Sequence, residues 1–66
     1  MAIVKVLELL ASSPKSWTDA TDQAIKKASK TVRGIRSANV QNLSVTVENG
    51  KIKEYRVNVK VTFSLE

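Results

Sequence analysis

Tyr55-Arg56-Val57-Asn58-Val59-Lys60-Val61-Thr62-Phe63-Ser64 alternates apolar and polar side chains without a slip, and a period of two is the mark of a strand with one buried and one wet face. Tyr55, Val57, Val59, Val61, Phe63 and then Leu65 must point one way, leaving Arg56, Asn58, Lys60, Thr62 and Ser64 on the other face. Any chemistry carried by this strand sits on that second face.

Working outward, Asn49-Gly50 marks a hairpin just before the strand. The segment Asn39–Val47 reads as its partner, with a change of parity: Val40 agrees with Ala38, whereas Leu43, Val45 and Val47 fall on the opposite phase. A bulge near Gln41-Asn42 reconciles the two halves. A three-residue Glu48-Asn49-Gly50 loop, with Gly50 in the left-handed region, is the preferred closure because it sets Leu43 against Tyr55 instead of against Arg56.

Toward the N-terminus, Trp17, Ala20, Ala24, Ile25, Ala28 and Val32 fall within one stripe of roughly 140° on a helical wheel, opposite Asp19, Asp22, Lys26, Lys30 and Arg33. The pattern predicts an amphipathic helix from Trp17 to about Val32, N-capped by Ser16 with Asp19 as a short-armed capping-box partner, and stopped near Gly34. Asp22 and Lys26 form a favourable i,i+4 pair. Ile3 to Leu10 is a further strand, apolar on both parities and so covered on more than one side, and Ser12-Ser13-Pro14-Lys15 breaks it.

The order is therefore β-α-β-β. A helical crossover makes the first two strands parallel, and the all-antiparallel solution inserts the last strand between them, in order 1-3-2. The fold class is α+β, a three-stranded antiparallel sheet packed on one helix, with residues 1–66 forming a single domain.

At 66 residues the core is thin, and with no cysteine and no histidine neither a disulfide nor an ordinary zinc site can support it. Self-association is the remaining remedy. No histidine means no conventional Ser-His-Asp triad for Ser13, Ser16 or Ser37, and the acids make no calcium-loop pattern, so a metal site stays undefined. The start Met1-Ala2-Ile3-Val4-Lys5-Val6-Leu7-Glu8 is too short and too charged for a signal peptide, and no run reaches the ~20 apolar residues of a membrane span. A cytoplasmic, non-membrane protein is expected. The net charge is +5, and Lys26, Lys27, Lys30, Arg33 and Arg36 form a basic patch. A solvated face complementing the helix dipole is preferred over nucleic-acid binding, because no exposed aromatic accompanies it to stack bases.

The opening Val4-Lys5-Val6-Leu7-Glu8-Leu9, then Ser12-Ser13-Pro14 with Ser16-Trp17, then Ala28-Ser29-Lys30-Thr31-Val32, and the ending Glu54 to Phe63 together resemble the dodecins across essentially the whole chain. The resemblance implies a homododecameric shell that stores or sequesters riboflavin, FMN or FAD, a non-enzymatic small-molecule binder. Where that family places a flavin-stacking tryptophan this chain has Ser37, and where it places a flavin-contacting glutamine it has Arg56. Ser37 and Arg56 are thus the candidate ligand positions, with Arg36 and Tyr55 beside them. Two copies of Arg56 brought together about a twofold axis would call for an anion between them. The alternatives are Arg56 paired with Glu54 or Glu8 of a neighbour, and a flavin-independent shell or scaffold without a tight organic ligand.

Overall fold

The computed structural model describes residues 3–65. Its elements are β1 (Val4–Ser13), α1 (Trp17–Ala28), β2 (Ile35–Glu48) and β3 (Lys51–Ser64), and the sheet order is β1-β3-β2 with both pairings antiparallel. The alternating strand is central, as its clean period required.

Val57, Val59 and Val61 are almost completely buried and meet Ala20 of α1, with Leu9, Ala11, Ile25 and Ile35 packed around them. The buried helix positions Ala20, Ala24 and Ala28 all carry a single methyl, which lets the helix backbone approach a β-branched sheet surface closely. Ser16 caps α1, its Oγ accepting from Asp19 N at 2.9 Å. The reciprocal half of the capping box does not form: the Asp19 carboxylate instead accepts from Ser13 Oγ at 2.6 Å, tying the end of β1 to the start of the helix.

Four expectations are corrected. β1 runs through Ser13 rather than ending at Leu10, because Ala11, Ser12 and Ser13 stay in register with Val57, Arg56 and Tyr55. The helix stops at Ala28, four residues before Val32: Ser29 is the C-cap, and Lys30 N to Lys27 O and Thr31 N to Ala28 O tighten into i→i+3 turns. Gly34 is accordingly not the helix stop. It has φ +75°, and a Cβ there would lie 3.2 Å from Ser64 O, so glycine serves the turn into β2. β2 itself begins at Ile35, not Asn39.

The hairpin register also differs. Asn49 and Gly50 both have positive φ, 53° and 74°, so the turn is the two-residue type with Glu48 opposite Lys51. That turn alone would leave Leu43 facing Arg56. A register shift between Thr46 and Val47, at which Lys53 is passed over in β3, moves Leu43 opposite Val57 and Val45 opposite Tyr55. The parity argument was sound, but a bulge and not a longer loop satisfies it. The bulge expected near Gln41 is present between Val40 and Asn42, and another lies between Ile35 and Ser37.

Candidate functional site

The face of the sheet away from α1 is built in cross-strand rows by the register of β3. Ser12, Arg56 and Ser44 make one row; Leu10, Asn58 and Asn42 the next; then Glu8, Lys60 and Asn39; then Val6, Thr62 and Ser37. Arg56 is exposed between two serines. Among the described residues the ion pairs are Lys26–Asp22 at 3.1 Å and Lys53–Glu48 at 3.2 Å, so the Arg56 guanidinium carries its charge unneutralised within one copy. Asn58 Oδ1 and Thr46 Oγ1 on this face are shielded from water and have no hydrogen-bond partner, a cost that a further acceptor or donor arriving from outside would relieve.

Ser37 lies at the far end of the same face, where its hydroxyl bonds to that of Thr62 and Thr62 Oγ1 also reaches Ser37 O at 3.3 Å. Thr62 and Arg56 are six residues apart on one strand, roughly 20 Å at ~3.3 Å per residue. Ser37 and Arg56 therefore share a face but not a pocket in a single copy. Arg36 occupies the bulged position between Ile35 and Ser37 and is exposed. Tyr55 is on the opposite, helix-covered face, across from Ser13 and Val45. Its ring meets Trp17 edge-on, centroids 5.1 Å apart at 79°, while Trp17 Nε1 donates to Ser44 O at 2.9 Å. These contacts make Trp17 and Tyr55 a clamp that fastens the helix start to the hairpin.

Sequence reading passed over an open groove of about 470 Å³ between α1 and β1, lined chiefly by Leu7, Leu9, Ala11, Ala24 and Ala28 with Lys27 at its side. Its signal was available in the Leu9-Leu10 doublet, which makes both faces of the edge strand apolar. Val4, Val6 and Leu10 are exposed on the open face of β1, the last at 71%, and Val40 and Leu43 are exposed on the helix side of β2. No helix among the described residues is long and apolar enough to cross a membrane, and no three metal-ligating side chains gather among them.

Comparison with known proteins agrees with this geometry. The family model described as Dodecin matches residues 3–66. Calcium dodecin of Mycobacterium tuberculosis is 31% identical over 65 residues, 98% of this chain and 92% of the relative. Among solved structures, a mutant of the T. thermophilus dodecin superposes with a TM-score of 0.94 at 30% identity, covering 100% of this chain and 98% of the other. Dodecin from Streptomyces coelicolor gives 0.94 at 28% identity, covering 98% and 93%. With the central alternating strand, the 1-3-2 order and a family match over nearly every residue, the chain belongs to the dodecin family.

Proposed function

We propose that the chain is the subunit of a homo-oligomeric, non-catalytic small-molecule binding protein whose altered pocket takes an anionic ligand. The observation that carries this reading is Arg56: exposed on the open face, flanked by Ser12 and Ser44, and without an ion pair among the described residues. A planar guanidinium with hydroxyls on either side suits a phosphate or carboxylate, which it can hold bidentately. The roughly 20 Å between Ser37 and Arg56 supports a ligand site assembled from more than one copy. Two strips of exposed apolar residues on the edge strands, Val4/Val6/Leu10 and Val40/Leu43, supply surface for such association.

Flavins of the same ring but different charge test the reading directly. FMN is expected to bind at least tenfold more tightly than riboflavin, measured by quenching of flavin fluorescence, and Arg56→Gln is expected to abolish that preference. Adding Ser37→Trp to Arg56→Gln restores an aromatic platform worth about 1–3 kcal/mol and should bring riboflavin quenching back. Failure of FMN, and of pyrophosphate by calorimetry, would favour the shell or scaffold reading. The name of the Mycobacterium tuberculosis relative adds a calcium arm. Because no acid cluster forms within the described residues of one copy, calcium would have to draw carboxylates such as Glu8 or Glu54 from several copies.

A further inference from the structure

The end of the molecule where α1 finishes and β2 begins is strongly cationic. Lys26 and Lys27 lie in the last turn of α1, Lys30 and Arg33 in the connection, and Arg36 at the first bulge of β2. Lys5 belongs to the same end, since its partner Phe63 also pairs with Ile35. All six are exposed. Asp22 is the one described acid beside them, bonded to Lys26. A helix macrodipole presents only about −0.5 charge at its C-terminus, so complementing it accounts for a small part of this excess.

We propose that this end binds the phosphate backbone of nucleic acid without reading its sequence. Five cations without an ion pair among the described residues, from a helix turn, a loop and two strand starts, gather at this end, and duplex DNA offers one charge per ~1.7 Å of axis against them. Phe63, the described aromatic at this end, is half-buried in the ladder between Lys5 and Ile35, which disfavours base stacking and leaves phosphate contact as the main recognition. Exposed apolar residues at this end lie on both faces, Val4 and Val6 on the one away from α1 and Ile3 and Leu65 on the other, so an anionic bilayer is the competing occupant that the test separates from nucleic acid.

The test is fluorescence anisotropy of a labelled 20-base-pair duplex with the intact protein. With about four phosphates contacted, affinity is expected to fall roughly a hundredfold between 50 and 200 mM salt. Lys30→Gln with Arg33→Gln should reduce the magnitude of the salt slope by about 2. Lys51→Gln with Lys53→Gln, at the other end of the sheet, should leave it unchanged. If the first pair disturbs folding by circular dichroism, Lys26→Gln with Lys27→Gln reads the same effect. The proposal is overturned by absence of duplex binding at 50 mM salt, by a slope indifferent to the variants at this end, by equal losses from the Lys51/Lys53 control, or by binding to phosphatidylserine vesicles without binding to duplex.

Discussion

Ser13 shows how much one side chain can organise. It is 2% exposed, donates to Asp19 and accepts from Lys15 N at 3.0 Å, so a single hydroxyl joins the end of β1, the Pro14 turn and the first turn of α1. The hydroxyl of Ser13, followed by the charge of Lys15, lowers the Asp19 pKa below its ordinary value. A depressed carboxylate stabilises the fold above its unfolded pKa of about 3.9 and loses that contribution as pH falls through the depressed value. Ser13→Ala is therefore expected to destabilise the protein at pH 7 and to do so less at pH 2.5. Urea midpoints at the two pH values measure this; an equal deficit at both would show that the contact does not depend on the charge. The sequence marked Asp19 as the capping-box partner of Ser16 but could not name Ser13 as its contact, because that contact depends on how Pro14-Lys15 folds back.

At the scale of elements, what was legible followed periodicity. The parity of β3 fixed which residues meet the helix, and the shared stripe of Ala20, Ala24 and Ala28 fixed which helix face meets them. Boundaries were less legible, for physical reasons. Val32 continues the apolar spacing, yet Lys30 and Thr31 before it close into tighter turns, with Thr31 Oγ1 reaching Ala28 O at 3.4 Å. The hairpin register was hidden because Lys53 looks like any exposed strand residue until it is passed over in the ladder. The close helix–sheet approach should be intolerant of volume. Ala20, fully buried, replaced by leucine is expected to cost about 1–3 kcal/mol, read as a lower urea midpoint with unchanged slope at fixed protein concentration. A neutral effect would mean that the helix can lift from the sheet.

For the whole molecule, the candidate site was legible as a face but not as a pocket. Alternation placed Arg56 on the open face and the family resemblance named Ser37, whereas their common face and their separation along β3 emerge only from the ladder, since three bulges set which β2 residue meets which β3 residue. A site of that span supports assembly as a condition for binding. Light scattering is expected to give about twelve times the 7.3 kDa chain mass. Leu10→Lys, which puts a charge on the most exposed apolar side chain of the open face, should lower that mass and abolish FMN quenching together. Loss of quenching with the mass intact would assign Leu10 to the ligand instead of to the interface.

The bulges of β2 have a consequence for how such assembly can end. β1 and β2 are the two free edges of the sheet, and they are unlike: β1 pairs in unbroken register for its full ten residues, whereas β2 is interrupted after Ile35 and after Val40. A kinked, overtwisted edge is a poor template for another strand. Head-to-tail sheet extension, which needs a good β1 edge to meet a good β2 edge in every step, is thereby blocked at its second half. Strand addition through β1 alone would be isologous and would exhaust itself at two copies. The irregularities that shift the ladder by one residue thus also favour a finite particle over a fibre.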